Sequence, residues 1–338
     1  MVSLKDISSK CGFSVATVSK ALNGHKDISE KTKKLIQQTA NEMGYFPNSS
    51  ARALKMNKSY NIGVLFVDAA NSGLTHDYFA SILDSFKTTV EKYGYDMTFI
   101  NGRKHRKDRM SYLDCCRSMQ VDGVVIACVK FDDPEVVELA KSEIPIVTVD
   151  YIFNDRMAVL SDNVRGVEEL VKYIYECGHT KIAFIHGEGY LSISRARLAS
   201  FYKTTEELGI TIPEEYIREV PYRNTEATSI VTSELLDLED PPTCIMFSDD
   251  FASIGGINII KAKGYKIPED ISVTGYDGIK LAKYINPPLV TINQDTSKMG
   301  RIAAEKLIEL IEKQKTTIID RFVIPGELEK GASVKKLD

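Results

Sequence analysis

The chain has 338 residues, enough for two or three domains with a sizeable core, and its 43% apolar and 27% charged content is that of a soluble globular protein. No apolar run reaches the eighteen residues of a membrane span, and "MVSLKDISSK" lacks the charged-then-apolar pattern of a secretory signal, so a cytoplasmic location is expected. Residues 1–60 hold ten Lys and Arg against four Asp and Glu, a net of +6, which leaves −10 for the rest of a chain whose total is −4. A basic head on an acidic body points to a head that meets a polyanion, although a solvated charged surface would give the same balance.

In chain order, Ser3 is positioned to cap a first helix, with Asp6 as reciprocal partner and Leu4, Ile7 and Cys11 along its buried stripe. Gly12 stops it, Ser14 opens the helix "VATVSKALNG", and Asn23-Gly24 closes that one. Val18, Ala21 and Leu22 are expected inside, while periodicity leaves Val15 open between core and surface. A third helix, capped by Ser29, runs to Met43, with Leu35, Ile36, Thr39 and Met43 on one side. Two short helices joined by a Gly-containing turn suggest a helix-turn-helix whose second helix enters the major groove. There Thr17 and Ser19 hydroxyls suit phosphates, and Lys20 reaches a guanine edge or a phosphate. "PNSSARALKMN" then carries about two helical turns around Leu54, too short to hold a helix alone in water.

From "NIGVLFVDAA" onward, short apolar strands alternate with amphipathic helices. Strands are expected over residues 62–67, 97–100, 123–128, 145–149, 182–185, 244–247, 271–276 and 290–292. Helices are expected over 78–93, 164–176, 192–208, 251–263 and 296–312. Apolar strands separated by helices imply parallel sheets covered on both faces. The body is too long for one small sheet, which suggests two subdomains with a cleft between strand ends. Asp150, Asp249 and Asp277 stand after strands and Arg197 begins a helix, a donor and acceptor set suited to a polyhydroxylated ligand. Each Asp also suits a plain helix N-cap.

"LKDISSKCGFSVATVSKALNG" with "ISEKTKKLIQQTANEMGYFPNSSARAL" resembles the head of the lactose/galactose repressor family of bacterial transcription regulators. "SRARLASF", "FSDDFASIGG", "ISVTGYDG" and "PPLVTINQDTSKMGRIAAEKLIELI" extend the resemblance into the body. The resemblance implies an all-α helix-turn-helix head (residues 1–46) and a hinge (47–59). It implies an α/β periplasmic-binding-protein-like body of two doubly wound parallel-sheet subdomains, 60–162 with 293–321 and 163–292 with 322–338. Ser14, Val15, Ala16, Thr17, Ser19, Lys20 and Asn23 fall at DNA-facing positions. In the hinge Asn48, Ala51, Arg52, Leu54 and Lys55 do so, Leu54 being the wedge driven into a central CG step by paired hinge helices. Asp150, Arg197, Asp249 and Asp277 fall at effector positions. The unusual loop "DAANSGLTHDYF" adds His76 and Tyr78, with Asp77, as determinants of ligand preference.

The family also implies a homodimer on a pseudo-palindromic operator, a sugar or sugar derivative as effector, and no cofactor. Asp249 departs from an Asn common in the family, and Gly278 from a frequent Asp. Two alternatives stay open at this point: control by a phosphorylated carrier protein, and a sugar-binding receptor without DNA function. No GxxxxGK[ST], GxSxG or HExxH motif is present, and the six cysteines and the histidines show no metal-ligand spacing, so neither an enzyme nor a metal site is expected.

Overall fold

The computed structural model describes residues 2–45, 58–68, 73–101 and 110–337. They form two compact units, a head within residues 1–59 and a body from Tyr60 onward.

The head contains α1 (Leu4–Cys11), α2 (Val15–Leu22) and α3 (Glu30–Glu42). Ser3 and Asp6 make the reciprocal capping box, and Gly12 ends α1 in the left-handed conformation that a side chain disfavours. Ser14 and Ser29 cap the other two helices through Thr17 N and Thr32 N. Ile7, Val18, Ala21, Ile36 and Ala40 make the small core, with Leu22 and Met43 packed at its edge. Leu35 does not join them. It is 49% exposed, because one residue of rotation along α3 carries it past the buried stripe. Hinge residues Asn48, Ala51, Arg52, Leu54 and Lys55 lie outside the described residues.

The body holds two parallel sheets. The first has the order β11-β5-β4-β3-β1-β2, formed by β1 (Asn61–Phe66), β2 (Asp96–Phe99), β3 (Gly123–Ala127), β4 (Ile146–Val149), β5 (Met157–Ser161) and β11 (Arg321–Ile324). Its central strands β3 and β4 are buried along their whole length because both faces are covered, while the edge strands β2 and β11 keep exposed residues. Ile62, Val64, Val125 and Val147 face Phe86 of α4 (Asp77–Lys92) and Leu307 of α11 (Thr296–Glu312). Val124, Ile126 and Ile146 face the other way, toward Leu113 of α5 (Tyr112–Ser118) and Leu139 of α6 (Pro134–Lys141).

The second sheet runs β7-β6-β8-β9, from β6 (Ile182–His186), β7 (Ile217–Glu219), β8 (Cys244–Phe247) and β9 (Ser272–Thr274). α7 (Asn163–Glu176) and α8 (Ser192–Glu207) cover one face, and α9 (Thr225–Leu236) and α10 (Asp250–Ala262) the other. β10 (Thr291–Asn293) bridges toward β9 and pairs antiparallel with β12 (Glu327–Glu329).

The chain therefore crosses between lobes after Ser161, after Asn293 and after Ile324. Two of the expected boundaries shift. Asn293 belongs with the second lobe, because its strand pairs with β12 there. Residues 322–324 belong with the first, because β11 pairs with β5 in register Phe322↔Val159.

Candidate functional site

In the head, Ser14, Val15, Ala16, Lys20 and Asn23 are exposed and Thr17 and Ser19 half-exposed, so one side of α2 is open to a partner. Val15, which periodicity left open, is 39% exposed and outside the core. Ser14 Oγ accepts from Thr17 N at 3.1 Å and pairs with the Thr17 hydroxyl at 2.8 Å. Asn23 Nδ2 donates to Ser19 O at 2.7 Å. Lys20 forms a 2.5 Å ion pair with Asp27 on the surface, a contact that a phosphate can replace at little cost.

In the body, the carboxyl ends of both sheets converge on one polar network. Asp150 directly follows β4 with φ +56° and is buried. Its Oδ1 accepts from Ser161 N at 2.9 Å, and its Oδ2 accepts from the Tyr78 hydroxyl at 2.6 Å. Tyr78 also meets Ser161 Oγ at 2.8 Å, and Ser161 bonds Gln294 at the second crossover. Gln294 Nε2 donates to Asp277 Oδ1 at 2.6 Å, and that same oxygen lies 3.6 Å from the Arg197 guanidinium. Arg197 Nε donates to Asn163 Oδ1 at 2.7 Å and its Nη1 to Ser248 O at 2.8 Å. The guanidinium stacks 3.6 Å from the centre of the Tyr276 ring. Tyr276 reaches this place because position 166 on α7 is glycine; a Cβ there would collide with the Tyr276 hydroxyl.

Burial dominates the electrostatics. It pushes Asp277 up to about 7 although Arg197 opposes the shift, and it raises Asp150 against the pull of Tyr78 and Ser161. Burial also acts against the charge on Arg197, yet the surrounding tyrosines and Asp277 hold its guanidinium above its usual range. Asp250, beside the network, is pushed well up by burial and accepts from Thr291 Oγ1 at 2.6 Å and Ile279 N at 2.9 Å.

Of the six expected effector residues, Tyr78, Asp150, Arg197 and Asp277 thus join one chain of contacts spanning both lobes. Asp249 meets that chain only through Ser248, whose Oγ donates to it at 3.0 Å; it serves as the N-cap of α10 and accepts from Ala252 N at 2.7 Å and Arg223 N at 3.0 Å. His76 occupies the N-cap position of α4 without capping through its side chain, and packs edge-on against Phe79.

Sequence reasoning missed Ser161, Asn163 and Gln294, which link the lobes, and Arg223, which leaves the second lobe to reach Asp77 of the first at 3.4 Å. Arg223 also stacks 4.2 Å from the Phe251 ring. A cleft of about 590 Å³ opens between Thr75 and Asp77 on one side and Arg223, Phe251, Lys280, Leu281 and Tyr284 on the other. Of the three determinants named above, Asp77 lines it among the described residues, and His76 and Tyr78 do not. His179, read as a structural turn residue, is buried between Thr243 Oγ1 and Lys335 O, each at 2.9 Å.

The geometry is a three-helix head and a body of two parallel sheets whose buried Arg197 and Asp277 pair where the sheets' carboxyl ends meet. Comparisons with known proteins agree with it. The description "Bacterial regulatory proteins, lacI family" matches residues 3–48, and "Periplasmic binding protein-like domain" matches residues 171–334. The chain is 33% identical over 320 residues to a protein of Bacillus subtilis (strain 168) described as "Probable HTH-type transcriptional repressor ExuR", covering 94% of this chain and 93% of that one. It is 30% identical over 342 residues to the repressor PurR of Vibrio vulnificus (strain CMCP6), with all of both chains covered. Its fold superposes on the lac repressor dimer bound to operator and the anti-inducer ONPF with a TM-score of 0.82, at 23% identity over 99% of each chain. The chain belongs to the lacI family of bacterial regulatory proteins and is a DNA-binding transcriptional repressor.

Proposed function

We propose that the chain acts as a homodimer on a pseudo-palindromic operator, and that a sugar or sugar derivative held between the body lobes sets its affinity for that operator. The observation that carries this reading is the chain of contacts Tyr78–Asp150–Ser161–Gln294–Asp277–Arg197, which ties one lobe to the other through groups that hydroxyls can replace. A polyhydroxylated ligand donates to the Asp150 and Asp277 carboxylates and accepts from Arg197. Asp249, His76 and Tyr78 complete the reading of its edges. Each protein contact displaced this way is matched by a ligand contact, so the ligand changes lobe closure without leaving buried charge unpaired.

Similar proteins support the ligand class. A solved regulator with the same fold, CelR, is a cellobiose complex (22% identity, TM-score 0.72, 98% of this chain and 100% of that one), and an Enterococcus faecium lacI-family regulator, 25% identical, holds ribose. None of the relatives named here is described as acting through a phosphorylated carrier protein. The relatives are repressors rather than enzymes, and no helix among the described residues is long and apolar enough to cross a membrane. A cytoplasmic site of action fits a protein whose partner is the operator.

One reader head supplies few base contacts, so two heads read the two half-sites from the exposed side of α2. The resemblance places Asn48, Ala51, Arg52 and Lys55 among the DNA-binding positions and Leu54 as the wedge that two paired copies drive into a central CG step, kinking it. Effector-driven lobe motion alters hinge pairing, and a coupling of about 1–3 kcal/mol corresponds to about a 5–150-fold change in operator affinity. Leu54→Ala tests the wedge directly. Affinity for a specific operator falls while nonspecific affinity at the same salt stays near the parent value; an equal loss on both refutes the wedge. A sugar panel, read by thermal shift and then by operator release, tests the effector. If no sugar shifts either readout, the ligand class is wrong.

A further inference from the structure

The first lobe brings together three ligand-bearing side chains that the sequence keeps far apart. β1 and β3 are parallel neighbours in the register Phe66↔Ala127, so the residues after them leave the sheet side by side. Asp68 follows β1, Cys128 follows β3, and His76 stands at the start of α4. A carboxylate oxygen, an imidazole nitrogen and the Cys128 Sγ all lie within 4.8 Å of one another.

Several features fit this trio to a cation. The thiol donates to Asp68 Oδ1 at 3.8 Å. Bonds of about 2.3 Å to sulfur and 2.0–2.2 Å to oxygen give a tetrahedral edge of about 3.5 Å, so the oxygen–sulfur edge closes by a few tenths of an ångström, and the edges to the imidazole, at most 4.8 Å, close by up to about 1.3 Å through side-chain rotation. Cys128 is held at φ +52°, a left-handed conformation that costs a side-chain-bearing residue about 1–3 kcal/mol and tends to persist where function requires it. The His76 Nδ1 is buried with no hydrogen-bond partner among the described residues, and Phe79, 4.9 Å away edge-on, packs against the ring. The charged groups that act on His76 and Cys128 are Arg223 on the positive side and Asp68, Asp77, Asp150 and Asp249 on the negative. That balance favours a cation.

We propose that Asp68, His76 and Cys128 bind one divalent metal ion of the zinc class. A nitrogen–sulfur–oxygen set is borderline-soft and suits Zn²⁺, Co²⁺ or Ni²⁺, whereas Mg²⁺ and Ca²⁺ take oxygen ligands. On binding, the Cys128 thiol proton passes to solvent and the thiolate becomes the ligand. Three protein ligands leave a fourth position for water or for an oxygen of a small molecule. His76 is shared with the effector reading above, and the titration below is made without any sugar, so failure of the metal site and failure of that reading are distinguishable.

The test uses the full chain, stripped with a chelator and titrated with Co²⁺. The expected result is one Co²⁺ per chain with a sulfur-to-cobalt charge-transfer band, removed by Zn²⁺ and unaffected by Mg²⁺. Cys128→Ser abolishes the band, and His76→Asn weakens binding by more than about tenfold, the lower end of what even an outer-shell change costs. Cys115→Ser, elsewhere in the same lobe, keeps both. If Cys128→Ser does not fold, the His76→Asn titration alone decides. Absence of a stoichiometric band, or a band and affinity that survive these variants, overturns the proposal.

Discussion

Replacing Arg197 by alanine tests whether the body network is held by its charges. Arg197 is 5% exposed, and the substitution removes hydrogen bonds to Asn163 and Ser248, the 3.6 Å pairing with Asp277 and the stack on Tyr276. Removing one partner of a buried ion pair costs about 3–5 kcal/mol, because the remaining charge is left uncompensated. The deficit has a predictable pH dependence. Asp277 is raised in the folded protein, from a usual 3.8 to about 7, so its contribution is fully present below 3.8 and is lost as pH rises through about 7. Below that range Asp277 is protonated in parent and variant alike, and the variant loses only neutral-acid contacts. Above it the parent keeps an Arg197–Asp277 charge pair that the variant lacks. The deficit is therefore smallest near pH 5 and grows toward pH 8. Urea unfolding followed by far-UV circular dichroism at both pH values measures it, since the chain has no tryptophan to report by fluorescence. Adding Asp277→Asn to Arg197→Ala recovers part of the loss at pH 8. A deficit below about 1 kcal/mol, or one equal at both pH values, refutes the assignment of the pair as a buried charge contact.

In the head, Ile36→Ala lowers local stability by about 2–5 kcal/mol whereas Leu35→Ala stays within about 0.5 kcal/mol, as read by hydrogen exchange of head amides in the full chain; the reverse order contradicts the core assignment. Lys20→Ala, which frees Asp27, lowers the slope of log affinity against log salt by about 1 if Lys20 meets a phosphate; an unchanged slope with lost sequence preference assigns it to a base edge instead. Asp77→Asn cuts the cross-lobe contact to Arg223, but Asp77 is half-exposed, so global stability changes by less than about 1 kcal/mol while exchange at the start of α4 accelerates. A loss of several kcal/mol would make that contact a structural pillar.

The sequence showed most of the architecture because its strongest signals are local. Capping serines and glycine stops marked the head helices, and apolar runs marked β3, β4, β6 and β8. β5 escaped because "MAVLS" follows the loop "YIFNDR" without a turn signal, and α9 escaped because "TEATSIVTSELL" is rich in Thr and Ser, which are poor helix markers. Leu35 was misplaced by one step of the helical wheel. For the candidate site, strand-end position singled out Asp150, Asp249 and Asp277 and a position in the helix after β6 singled out Arg197, but the partners of these residues were not legible. Ser161 and Gln294 are 133 residues apart in sequence, and only the crossovers bring them together. The same limit hid Asp68 and Cys128. Spacing along the chain gave no ligand pattern; the parallel pairing of β1 with β3 supplies it.

The most direct test of the account is selection of genomic fragments by the purified chain at physiological salt, where nonspecific binding is suppressed, with and without a pool of sugars. A sugar-controlled dimeric repressor enriches a two-fold symmetric site with a central CG step, and at least one sugar alters that enrichment. Enrichment of unpaired half-sites, or none under either condition, would contradict it.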